Sequence, residues 1–116
     1  MTFSGAVSKK DVSRPTWKMT HSILTIAVRP GEEDAFVEAF FRLDVLGHAA
    51  TIPAFRGGEL LRPHEPADGF VVHARWDSAE GYQAWLDAPV RAGLNRELAP
   101  LVTGPMTAML YDEAEA

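Results

Sequence analysis

The side chains best suited to chemistry lie in the stretch RWDSAEGYQAWLDAP, residues 75–89, which holds Trp76, Tyr82 and Trp85. Two indoles and a phenol at this spacing either fill a core or wall a pocket for a flat aromatic molecule. A buried indole N–H needs a hydrogen-bond partner, so a pocket lined by one offers a donor to a phenolic oxygen. Phe40 on the first helix would add a second aromatic wall. The four histidines, His21, His48, His64 and His73, show no metal-ligand spacing. Imidazole is the side chain whose ordinary pKa suits a general base at neutral pH. His48 is the first candidate for that role, because the end of a first helix can border the cleft beneath Trp76. His73 lies three residues before Trp76 and alternates to the other sheet face. No Gly-rich phosphate loop, nucleophile elbow or Glu-x-x-His pair is present, so nucleotide, flavin and covalent-hydrolase chemistries find no support.

These residues must be positioned by one domain, since 116 residues with 47% hydrophobic content suit a single core. A net charge of −5 argues against nucleic acid as a partner. With no cysteine, disulfides and thiolate metal sites are excluded, which fits a reducing cytoplasm. No apolar run approaches the roughly 20 residues of a membrane span, and the N-terminus lacks the order of a signal peptide. A cytoplasmic protein without metal or cofactor is expected. Residues 1–20 read as an arm, 21–112 as the domain and 113–116 as an acidic tail.

Alternation predicts a strand over His21–Arg29, and Pro30-Gly31 ends it. The acidic turn Glu32-Glu33-Asp34 then opens a helix carrying Phe36, Phe40, Leu43 and Gly47, widened by Val37 and Phe41 and ending before Pro53. Two strands follow, about Phe55–Arg62 and Phe70–Trp76, joined across an Asp68-Gly69 turn. Gly57-Gly58 suggests a bulge or a close backbone approach. Asp77, with Glu80, is the expected cap of the next helix. Tyr82, Trp85 and Leu86 line its inner face until Pro89 breaks it and starts another, striped by Val90, Leu94, Leu98 and Leu101. Met106–Tyr111 is a last strand. The order β-α-β-β-α-β, with the second helix broken in two, is the ferredoxin-like split βαβ: an α+β fold with a four-stranded antiparallel sheet and helices on one face. The second sheet face would carry Val71, Leu60 or Leu61, and Ile23 or Leu24; covering it predicts a homodimer.

The chain resembles the antibiotic biosynthesis monooxygenase family, small dimeric α/β-barrel proteins, over about Ser22–Tyr111. The resemblance rests on ARWDSAEGYQAWLDAPVRAGLNREL and on IPAF before the second strand. It implies a pocket lined by Trp76, Tyr82 and an Arg on the broken helix, matched by Arg96. Val72 stands where the aromatic-polyketide oxygenases of the family have an Asn, and Leu60-Leu61 where they have Tyr-His. The haem-degrading branch has a Trp matched by Trp85 and an axial His, where this chain has Asn95, an amide that cannot replace imidazole on iron. The expected activity is a cofactor-independent monooxygenase acting on a flat phenolic, polyketide-like substrate with dioxygen. A cyclase or isomerase using the same pocket, or a non-catalytic ligand-binding dimer, are the alternatives.

Overall fold

The computed structural model describes residues 18–114, so most of the N-terminal arm and the last two residues of the tail lie outside the described residues. Strand β1 spans Thr20–Ile26, helix α1 Glu33–Arg42, α2 Val45–Ala49 and β2 Phe55–Leu61. After a 3₁₀ turn at Pro66–Asp68 come β3 (Phe70–Trp76), α3 (Ala79–Leu86), α4 (Pro89–Leu98), a second 3₁₀ turn (Ala99–Leu101) and β4 (Thr107–Asp112). The sheet order is β2-β3-β1-β4 with every pairing antiparallel, which is the ferredoxin-like arrangement expected. No helix among the described residues is long and apolar enough to cross a membrane.

The helices cover one face. Phe36, Ala39 and Phe40 of α1 and Leu98 of α4 pack on Ile26 and Phe70 of the sheet. A second cluster joins Trp76 and Ala74 to Tyr82 and Trp85 of α3, Leu94 of α4 and Ala49 of α2. The two clusters lie side by side, and the line between them is where a cleft opens.

Four local expectations are corrected. The first helix is two pieces, because Asp44 takes a left-handed conformation (φ 53°, ψ 48°) that no α-helix accommodates and that Asp tolerates better than most residues. Phe41 does not widen the buried stripe: it is 62% exposed and leans edge-on against Phe40, with centroids 5.6 Å apart. The cap of α3 is Ser78, whose hydroxyl accepts from the Gly81 amide at 3.3 Å, one residue later than expected. Asp77 instead pairs with Arg56 at the start of β2. The first strand stops at Ile26, and Val28 forms only an isolated bridge to Val102.

The glycines of β2 satisfy both readings of their role. Register slips between Phe55 and Gly57, a bulge with Gly57 at φ 132°. At Gly58 a Cβ would come within 3.0 Å of the His73 carbonyl, so the strand approaches β3 closely there.

Candidate functional site

The sheet floor between the two core clusters is built from β1 and β3, whose even-numbered residues face the helices. Ser22 and Leu24 lie beside Val72, Ala74 and Trp76, as the register Leu24↔Val72 and Ser22↔Ala74 requires. Phe40 of α1, with Leu46 and Ala49 of α2, forms one wall of the cleft above this floor. Tyr82 and Trp85 of α3 form another, and Arg91, Leu94 and Asn95 of α4 close the third side. The cavity is narrow, about 60 Å³, below the roughly 300–1,000 Å³ of typical small-molecule sites, so a flat ligand fills it only if the helices part from the sheet.

Of the residues singled out in the sequence, the cleft brings together Phe40, Val72, Trp76, Tyr82 and Trp85. Arg96 and His48 are not among its lining residues. Arg96 is exposed, and His48 sits in the last turn of α2. The cation that does line the cleft is Arg91, one turn before Asn95 on the same face of α4. Its signal lay in the helical spacing, since Arg91, Leu94, Asn95 and Leu98 recur at i, i+3, i+4 and i+7.

Trp76 is only 1% exposed, with its ring edge-on to Phe55 and to Tyr82 at centroid distances of 5.2 and 5.8 Å. Its indole N–H is already engaged: it donates to the Ser22 hydroxyl at 3.0 Å, and both groups are buried. The donor expected for a substrate oxygen thus serves the floor of the cleft instead.

Burial pushes the Tyr82 phenol above its ordinary pKa, and the nearby Arg91 charge offsets this only in part. Tyr82 therefore stays a protonated hydrogen-bond donor at neutral pH. Among the described lining residues there is no carboxylate and no histidine. The cleft is an apolar, aromatic slot with one guanidinium, one amide, one phenol and the Ser22 hydroxyl that accepts from Trp76. Such a slot favours an anion whose charge sits at one edge of a flat ring system.

A family model described as antibiotic biosynthesis monooxygenase matches residues 19–92. The haem oxygenase (mycobilin-producing) of Mycobacterium tuberculosis strain H37Rv is 36% identical over 53 residues, 45% of this chain and 50% of that protein. The chain thus aligns with about half the length of that curated relative. A monooxygenase from the gene ActVA-Orf6 of Streptomyces coelicolor, solved with nanaomycin D, superposes with a TM-score of 0.66 at 25% identity. That superposition covers 84% of this chain and 89% of the other. A point mutant of SnoaB, a cofactor-independent oxygenase from Streptomyces nogalater, superposes with a TM-score of 0.66 at 20% identity, covering 85% of this chain and 95% of that one.

Proposed function

The chain belongs to the antibiotic biosynthesis monooxygenase family, and from that premise we propose that it oxygenates a flat phenolic, polyketide-like substrate with dioxygen and without metal or flavin. The observation that carries this reading is the composition of the cleft: aromatic and aliphatic walls, with Arg91 as the one cation among the described lining residues. Losing a proton turns an anthrone-type substrate into an enolate, an electron-rich anion. That anion gives one electron to O₂, the resulting radicals join at carbon as a peroxide anion, solvent returns a proton to it, and the hydroperoxide loses water to leave a new carbonyl. The former CH₂ becomes C=O: one atom of O₂ enters the substrate as the carbonyl oxygen, the other leaves as water with the two hydrogens of the CH₂, and the substrate carbon supplies all four electrons, so no external reductant is needed.

The protein has three tasks in this scheme. Arg91 and Asn95 hold the enolate oxygen and lower the cost of the anion. Tyr82, kept protonated by burial, donates to a second oxygen. Trp76, Trp85 and Phe40 enclose the ring and exclude water from the hydroperoxide. No base lines the cleft among the described residues, so the substrate proton leaves through the mouth to solvent; Arg91 makes that loss favourable. Arg96 and His48 lie outside this arrangement.

A haem is the other ligand that a relative suggests. The described lining offers no imidazole or thiolate for an axial bond, and a phenol held protonated by burial is a poor iron ligand. The donor set does not fit a ligated haem. A phenolate fits it.

We also propose that two copies pack through the sheet faces opposite the helices. Leu61, Met109 and Tyr111 stand exposed there beside Ile23 and Val71, and an isologous contact would cover them.

The test is oxygen uptake with an anthrone or a hydroquinone, with no added metal, beside an Arg91→Leu variant. Uptake that needs Arg91 supports the reading. Tight binding of the same compounds with no uptake would refute the oxygenase and leave a ligand-binding dimer.

A further inference from the structure

The sheet face away from the cleft carries a chain of polar side chains that runs from one edge strand to the other. Arg75 of β3 donates to Glu59 of β2 at 3.1 Å. Glu59 lies 2.7 Å from His73 Nδ1, and His73 Nε2 lies 2.8 Å from His21 Nδ1. His21 Nε2 in turn lies 2.9 Å from Glu113, just past the end of β4. The two rings stack at 5.1 Å between centroids with planes 21° apart. Glu113 is itself tied to the sheet, since its amide donates to the Met19 carbonyl at 3.2 Å.

Counting protons along the chain gives a definite answer. A carboxylate accepts, so the nitrogens facing Glu59 and Glu113 must each carry a hydrogen. The central contact joins two ring nitrogens, and at 2.8 Å it is a hydrogen bond only if one of them is protonated. Two neutral imidazoles supply two protons, but three links need three. With two protons, either two lone pairs face each other or a carboxylate loses its donor. With four, two N–H groups collide and two like charges meet.

We propose that His21 and His73 share one extra proton, and that this proton gates self-association through the sheet face. Holding it, every link of the chain has its donor; without it, two ring lone pairs face each other or a carboxylate loses its hydrogen bond. Burying that face against a second copy then desolvates a polar group left without its partner, a cost the protonated chain does not meet. The association therefore weakens as pH rises. The other titratable groups near the pair are Tyr111, paired with His21 across β1 and β4, and Lys18 just before β1. Asp112 turns to the opposite face, where it accepts from Thr20 at 2.7 Å. Burial tends to raise the pKa of Glu59, but the hydrogen bonds and charges of Arg75 and His73 outweigh it and hold the carboxyl below its usual range, so Glu59 stays ionised as the pair titrates.

The association part rests on the dimer proposed above, so the experiment has two arms. In ¹⁵N-labelled protein at about pH 6.5, where imidazoles titrate, the expected result is scalar coupling across the His21–His73 contact with three ring protons for the two residues. Two singly protonated rings without coupling would overturn the proposal. So would zinc bound at one ion per chain with loss of the bridging proton, which would make this a metal site. In sedimentation, the dimer dissociation constant should rise at least about tenfold between about pH 6 and pH 8.5, while His73→Gln removes that dependence. A dimer indifferent to pH, with the proton present, refutes the gating. A monomer at both pH values refutes the dimer reading, and the resonance arm still decides the shared proton.

Discussion

Replacing Trp76 with Phe tests whether the floor of the cleft is held by a buried hydrogen bond. The structure gives two costs. Losing the indole N–H leaves the buried Ser22 hydroxyl without its donor, about 1–3 kcal/mol for an unpaired buried group. The smaller ring leaves a void beside Phe55 and Tyr82, about 1 kcal/mol at the usual cavity coefficient. The sum is about 2–4 kcal/mol. At about 4–8 °C per kcal/mol for a domain of this size, the melting temperature should fall by roughly 10 °C or more.

Ser22→Ala separates the two costs. In the wild type it orphans the indole N–H and should cost about 1–3 kcal/mol; in the Trp76→Phe background it removes an unsatisfied hydroxyl and should cost almost nothing. Chemical denaturation of the four proteins gives the cycle, with an expected coupling of about 1–3 kcal/mol. If Ser22→Ala costs the same in both backgrounds, the hydrogen bond contributes nothing. If Trp76→Phe melts with the wild type, the account of the floor is wrong.

Other perturbations probe the walls. Arg91→Leu should weaken binding of an anionic polyphenol about tenfold or more, while Arg96→Ala, on the exposed side of α4, leaves it unchanged; titration calorimetry reads both, and equal losses would remove Arg91 from the site. Because burial raises the Tyr82 pKa, the folded protein keeps a proton that the unfolded chain releases above about pH 10. That contribution is present below the unfolded value and is lost as pH climbs through the folded one. Wild-type stability should thus fall faster than that of Tyr82→Phe in alkaline denaturation, and parallel curves would contradict the burial. A Cβ at Gly81 would sit 2.5 Å from the Ala54 methyl. Gly81→Ala should cost about 1–3 kcal/mol, and adding Ala54→Gly should recover most of it in a thermal melt. Trp85→Ala should cost about 3–5 kcal/mol as an emptied aromatic site; a loss below one kcal/mol would show the ring to be peripheral.

The fold was legible because its signals are local and redundant. Alternation in HSILTIAVR and FVVHARW, the Gly57 bulge and the Pro89 break each point to the same topology, and the structure keeps these elements while ending the first strand at Ile26. The misses occur where one residue's conformation overrides a periodic pattern. Asp44 breaks the first helix although Phe36, Phe40 and Leu43 continue the stripe across it. Nothing in the apolar pattern reports a single left-handed residue. At α3 the spacing to Glu80 pointed to Asp77, but Ser78 is the residue in extended backbone whose hydroxyl accepts from the Gly81 amide.

For the candidate cleft, the lining aromatics were legible and the lining cation was not, and the reason is geometric. Aromatic residues on inward-facing positions are forced into the cleft by the same periodicity that builds the core, so Phe40, Trp76, Tyr82 and Trp85 follow from the fold. A cation on α4 has no such constraint, and the family resemblance pointed to Arg96. Each helical residue turns about 100°. Arg96 is two residues past the buried Leu94, about 200° around the helix and facing solvent; Arg91 is three residues before Leu94 and lies on its side. The spacing of Leu94 and Leu98 therefore decides between the two arginines on the angle alone. That choice puts positive charge against Tyr82 rather than at the surface, and the proposed stabilisation of an enolate in an otherwise apolar slot depends on it.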